Sequence, residues 1–167
     1  MIRGLNPYPA AWTFIKDGDN EWNVKLIKSY YCGDDDYAFF TITEKDLLED
    51  GFRDNPRYEC FIAEINSEIV GLAFYTPRYS TWDGKTLHLE DLVVTEKMRG
   101  KGIGLSLYKS FLKEAKKQGV NRVEWSVLDW NKPAINFYLK SGALIDDYSK
   151  WKIVRMNKSL IEKFLSS

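Results

Sequence analysis

The chain has 167 residues, enough for one domain with a real hydrophobic core. Hydrophobic residues make up 44% and charged residues 29%, a globular balance. Lys plus Arg equals Asp plus Glu at 24 each, so no whole-chain field that draws in nucleic acid is expected, although local patches stay open. Apolar runs such as 69–75 are too short to span a bilayer, so no membrane is expected. The start does not read as a signal peptide, because Pro7 stands where an apolar stretch should begin. Cys32 and Cys60 fit neither a ligand spacing nor a disulfide framework, which points to a reducing cytoplasm. One histidine, His88, rules out a multi-histidine metal site, and no motif supports a carboxylate-rich one.

Residues 1–31 are aromatic and turn-rich. Trp12 to Ile15 and Trp22 to Ile27 read as two strands around the Asp17-Gly18-Asp19-Asn20 turn. Gly33-Asp34-Asp35-Asp36 is a solvated break. A short helix starts at Thr43, its N-cap, with Asp46 three residues on. Glu59 to Glu64 and Ile69 to Tyr75 flank an Asn66-Ser67 turn as a hairpin. Thr76 to Lys85 reads as a loop holding Pro77, and Leu87 to Val94 as the next strand. A helix follows from Gly102 to Gln118, with Ile103, Leu107, Phe111 and Ala115 on one face and Gly119 as C-cap. Val123, Trp125 and Val127 alternate with polar residues as in a half-buried strand. Lys132 to Ser141 is a helix capped by Asn131, with Pro133 in its first turn. Leu144-Ile145 and Lys152 to Met156 read as last strands, and Ser159 to Phe164 as a terminal helix. The order fits a single α/β or α+β sheet domain.

The sharpest local signal is Arg99-Gly100-Lys101-Gly102-Ile103-Gly104, between a strand and a helix. Close glycines let backbone N–H groups converge, and a helix N-terminus adds unpaired donors and a favourable dipole. With Arg99 and Lys101 this makes an anion cradle suited to a diphosphate; the alternative is a plain turn and helix start. It is neither a P-loop nor a good dinucleotide fingerprint. Glu90 and Asp91 are adjacent carboxylates in an apolar strand, and period two sends them to opposite faces. One should then face the core or a cleft, where a cation could pair with it; otherwise one is solvated and the other pairs with a surface base. Tyr138 lies two turns into the helix after Asn131, as a core tyrosine or as a proton donor at a cleft wall.

Four segments taken together resemble the GCN5-related N-acetyltransferase superfamily, in its spermidine/spermine and thialysine (diamine) branch. They are Ser80-Thr81-Trp82-Asp83-Gly84-Lys85, Leu89-Glu90-Asp91-Leu92, the glycine motif, and the run from Trp125 through Asn131-Lys132-Pro133-Ala134 to Tyr138. The resemblance implies an α+β fold with a mixed, mostly antiparallel twisted sheet flanked by helices. It implies a domain over residues 37–167, preceded by an atypical segment over 1–36. Acetyl-CoA is the implied cosubstrate. Its diphosphate falls on Arg99, Gly100, Lys101, Gly102, Ile103, Gly104 and Leu105, and its pantetheine arm on Leu92, Val93 and Val94. Asn131, Ala134 and Tyr138 match further cofactor positions. The strand carrying Trp125 to Val127 is expected to splay away and leave a wedge for the thioester. Tyr138 matches the tyrosine that protonates the leaving thiolate, and Glu90 the acid that handles the amine proton. Trp82, Glu90, Asp91 and Trp151 match the substrate neighbourhood. A homodimer acting on a small primary amine is implied.

Residues 2–28 instead resemble the tail of a methionyl-tRNA formyltransferase, through Ile2-Arg3-Gly4-Leu5-Asn6-Pro7-Tyr8-Pro9-Ala10-Ala11-Trp12-Thr13, without any catalytic group of that enzyme. Ser149 stands where polyamine enzymes tend to carry an acid, which turns the expectation toward thialysine-like or other small amines. An acetyltransferase acting on a protein N-terminus or lysine shares the same cofactor site. A non-catalytic acetyl-CoA-binding module is the reading from another class, and retention of both Glu90 and Tyr138 argues against it.

Overall fold

The computed structural model describes residues 2–4, 42–66, 68–146, 154 and 156–166. The two strands expected within 12–27, Cys32, Ser149 and Trp151 lie outside the described residues. The chain divides into two compact units, residues 1–126 and 127–167.

Among the described residues of the first unit, five strands form one mixed sheet in chain order. They are β1 (Ile2–Gly4), β2 (Glu59–Ile65), β3 (Glu68–Ser80), β4 (Gly84–Val94) and β5 (Arg122–Glu124). The first three pairings are antiparallel and β4–β5 is parallel. The mixed, mostly antiparallel sheet is as expected. The pairing of Ile2–Gly4 on β2 was not legible in the sequence, since three residues carry no period to read.

Among its described residues this unit has two α-helices, α1 (Glu44–Gly51) and α2 (Ile103–Gln118). Thr43 and Asp46 close a reciprocal capping box at the start of α1. Helix α2 lies on one sheet face, where Leu107, Phe111 and Ala115 are buried. Phe111 meets Tyr75 at 5.3 Å between ring centroids. A Cβ on Gly71 would come within 2.8 Å of the Val93 carbonyl oxygen and 3.1 Å of Leu107 Cδ1, so close approach of both β4 and α2 explains the glycine that interrupts an otherwise apolar strand. The other face buries Cys60, Ile62, Leu72 and Val93, with Phe74 stacked on Tyr58.

Three expectations need correction. Thr76–Ser80 is strand, not loop: β3 continues to Ser80 and β4 begins at Gly84, around a short turn. Pro77 is tolerated because β2 pairs with β3 only as far as Tyr75, so among the described residues no strand on that side requires an N–H from residue 77. The strand expected through Val127 ends at Glu124, where its pairing with β4 also ends. In the second unit Leu144-Ile145 is not a strand, nor are Val154 and Met156. That unit holds α3 (Lys132–Lys140) and α4 (Lys158–Leu165).

Candidate active site

The glycine loop comes first. Gly100 and Gly102 have φ of 75° and 78°, which side-chain-bearing residues rarely adopt. Gly102 is the N-cap of α2, and the first α-helical hydrogen bond is Ser106 N–H to its carbonyl. The N–H groups of Ile103, Gly104 and Leu105 are therefore the orphan donors of a 16-residue helix. A Cβ added at Gly100 or Gly102 meets no atom within 4 Å, so the space beside the loop is open among the described residues. The donor set, the dipole and Lys101 fit a diphosphate. Arg99 is partly spent: its N–H donates to the Glu96 carbonyl, and its Nε donates to the Val94 carbonyl at 3.1 Å. The guanidinium thus ties the loop to the end of β4.

The second component is an open backbone edge. β4 pairs with β5 only over Thr86–His88, yet it runs on to Val94. From Leu89 onward no strand among the described residues occupies that edge. Thr95 N–H bonds the Val70 carbonyl toward β3. Alternation along an antiparallel ladder then turns the N–H and C=O groups of Leu92 and Val94 to the open side, while Val93 faces β3. An extended amide chain can pair with such an edge. Gly104 backs onto the same place, since a Cβ there would lie 3.6 Å from Val94 Cγ2.

The third component is a bulge. Phe74 pairs with Asp91 and Tyr75 with Leu89, which leaves Glu90 without a partner in the ladder. The extra residue reverses the alternation. Asp91 joins the row of Phe74 and Cys60, while Leu89 joins that of Tyr75 and Glu59. Glu90 also lies on the Phe74 side, because its Oε1 accepts from Thr76 Oγ1 at 3.2 Å. Both carboxylates therefore share one face, and the expectation of one acid per face fails. Glu90 is exposed and Asp91 half-buried. Burial, with Asp91 nearby, pushes the Cys60 thiol well above its ordinary range, so Cys60 behaves as a packed apolar group.

An ion-pair network that the sequence did not announce lies on this face. Arg78 and Arg122 flank Glu124, with Arg122 Nη2 2.8 Å from Glu124 Oε2. Arg122 also pairs with Asp83 in the β3–β4 turn. These charges come from β3, β5 and the β3–β4 turn, so only the register could have revealed them.

Trp82 is 79% exposed at the tip of the β3–β4 turn. The six residue steps from Gly84 to Glu90 span about 20 Å of strand, so Trp82 stands apart from the two acids.

In the second unit, Asn131 caps α3 and its side chain accepts from Ala134 N–H at 3.3 Å. The two residues matched to cofactor contacts are thus partners of one another. Tyr138 is buried on α3, with its ring 5.3 Å from that of Phe137.

Residues 24–143 match the acetyltransferase (GNAT) family. A human spermidine/spermine N(1)-acetyltransferase-like protein 1 is 36% identical over 149 residues, 84% of this chain and 21% of that protein. A mouse thialysine N-epsilon-acetyltransferase is 40% identical over 110 residues, 61% of this chain and 65% of that protein. The chain thus spans less than two thirds of the length of either relative. A solved integron cassette protein from the mobile metagenome of V. cholerae shares the fold at a TM-score of 0.72 and 22% identity, covering 100% of this chain and 98% of that one. A stretch of 29 residues is 52% identical to a Flavobacterium johnsoniae methionyl-tRNA formyltransferase, over 17% of this chain and 9% of that protein. With the cradle, the open edge and the bulged acid in one unit, and a family match over most of the chain, this chain belongs to the acetyltransferase (GNAT) family.

Proposed function

We propose that the protein transfers the acetyl group of acetyl-CoA to a primary amine of a small molecule, such as a diamine, a polyamine or a thialysine-like compound. The observation that carries this reading is the run of three features along one stretch of chain: the bulged Glu90, the open edge at Leu92 and Val94, and the glycine cradle at the start of α2. The named relatives, acetyltransferases of spermidine/spermine and of thialysine, support the small-amine class.

Acetyl-CoA supplies an electrophilic thioester carbonyl. The residues around it have separable tasks. The N–H groups from Gly100 to Leu105 hold the diphosphate, and Leu92 and Val94 pair with the pantetheine amides. A primary amine near its reference pKa is mostly protonated at neutral pH and cannot attack. Glu90 draws in the ammonium and accepts its proton, directly or through water; Asp91 adds negative charge on the same face. The amine nitrogen bonds to the carbonyl carbon, the carbon–sulfur bond breaks, and Tyr138 gives a proton to the thiolate; the second proton that the nitrogen sheds as the amide forms restores the tyrosine, so the net release is the one proton taken by Glu90. Support for Tyr138 is its match to the family position, with Asn131 and Ala134 at the start of the same helix. Trp151 is assigned to the amine side on the same ground; Trp82, about 20 Å of strand from Glu90, is left out of it. A homodimer in a reducing cytoplasm completes the reading.

A substrate panel tests it. Diamines, polyamines, thialysine and N-terminal or lysine peptides are each offered with acetyl-CoA, and coenzyme A release is followed. The reading expects turnover on small amines and little on peptides; the reverse order would move the protein to the peptide-acetylating class.

A further inference from the structure

His88 is the only histidine of the chain, and the chemistry above does not use it. It stands on β4, directly opposite Thr76 of β3 and Glu124 of β5. Its side chain is 18% exposed. Charged groups from all three strands face it. Arg78 Nη1 is 3.2 Å from Nδ1, Glu124 Oε1 is 3.7 Å from Nδ1, and Glu90 Oε2 is 3.8 Å from Nε2.

A guanidinium only donates hydrogen bonds. Nδ1 beside Arg78 must therefore accept, and a neutral imidazole then carries its proton on Nε2. Glu124 Oε1, at 3.7 Å, is beyond hydrogen-bond reach of Nδ1, whereas Arg78 Nη1 at 3.2 Å is within it. The remaining donor, Nε2–H, is on the Glu90 side. At 3.8 Å the contact is electrostatic rather than a hydrogen bond. A small rotation of the exposed Glu90 side chain closes it, and such contacts are commonly long before substrate binds. Glu90 Oε1 already accepts from Thr76 Oγ1. Thr76 and His88, a direct cross-strand pair, thus address one oxygen each of the carboxylate between them. A proton relay from Glu90 through His88 is disfavoured, since Nε2 is occupied and Nδ1 would first have to give up Arg78.

We propose that His88, its tautomer set by Arg78, is a positioning residue that orients the Glu90 carboxylate toward the amine. The proposal rests on the reading of Glu90 as the acid of the transfer reaction. The test is a double-mutant cycle in steady-state kinetics with H88N, H88Q, E90Q and H88N/E90Q. Gln places an amide N–H near the position of Nε2; Asn is too short to reach Glu90. H88N should lower kcat/KM for the amine about tenfold, within the range of coupled neighbours, and leave KM for acetyl-CoA unchanged. H88Q should stay within about threefold of wild type, and H88N should add almost nothing in the E90Q background. The proposal is overturned if H88N is silent, if H88Q is as impaired as H88N, or if the H88N loss persists in full beside E90Q. A silent E90Q removes the Glu90 assignment and this proposal with it, and is recognised by being silent on its own. Should H88N fail to fold, R78M, which frees the tautomer, must give the same amine-specific loss and lose it beside E90Q.

Discussion

Phe74 stands opposite Asp91 across the β3–β4 ladder, whereas its chain neighbour Tyr75 stands opposite Leu89. That one-residue offset frees Glu90 from the ladder and puts two carboxylates on the same side of the sheet. It also falls where β4 loses β5 and, among the described residues, its other edge opens. A local irregularity therefore sets both the acid and the backbone edge of the site.

Glu90→Gln removes the charge that attracts and deprotonates the ammonium, while Thr76 can still donate to the side-chain oxygen. We expect kcat/KM for the amine to fall and its pH dependence to move to higher pH, because more substrate must arrive already neutral. The slope for acetyl-CoA should barely change. A pH–rate curve that overlays wild type would remove Glu90 from the mechanism.

Gly102→Val places a β-branched residue at a φ of 78° and sets its side chain beside the orphan N–H groups. The left-handed backbone costs roughly 1–2 kcal/mol for a residue with a Cβ. Acetyl-CoA affinity should drop at least about tenfold, which corresponds to about 1.4 kcal/mol. Calorimetry on folded protein measures it; unchanged affinity would displace the cofactor from this loop.

Much of the fold was legible because it rests on local rules. Thr43 with Asp46, Gly119 after α2, and Asn131 before α3 all appear at the caps the sequence indicated. The Leu107, Phe111 and Ala115 face was read from helical period alone. Glu90 was legible as an acid in an apolar strand, but its face was not: alternation predicts opposite sides for residues 90 and 91, and a bulge cancels alternation without a sequence mark. The Arg78, His88 and Glu124 group was hidden for a different reason. Its members lie on three strands, and only the register Thr76 to His88 to Glu124 brings them into one neighbourhood.

Tyr138→Phe keeps the ring and its contact with Phe137 and removes only the hydroxyl. A coenzyme A thiolate is a fair leaving group, so the loss should be partial: kcat lower by roughly 10- to 1000-fold, near the usual range for acid–base help. Acetyl-CoA affinity should change little. A wild-type kcat in this variant would end the general-acid assignment, while the family assignment would stand.

Glu59 supplies a pH signature of stability away from the active site. Burial pushes its carboxyl above the ordinary range, opposed by the hydrogen bond from Tyr75, whose hydroxyl lies 2.8 Å away. An acid with a raised native pKa contributes most below its unfolded value and loses that contribution as pH rises through the native one. Glu59→Gln keeps an acceptor for Tyr75 and carries no charge. Its melting temperature relative to wild type should therefore be higher at about pH 8 than at about pH 4. A relative stability that instead falls with pH would show that Glu59 is held ionised by its partners.

The most direct measurement is mass spectrometry of the amine after incubation with acetyl-CoA and the folded protein, using a mixed pool of diamines, polyamines and lysine analogues. The account predicts at least one small amine heavier by a single acetyl group, one coenzyme A released per acetyl transferred, and a much smaller yield with E90Q. No acetylated amine in the pool, with acetyl-CoA binding intact by calorimetry, would contradict it and leave a module that binds the cosubstrate without using it.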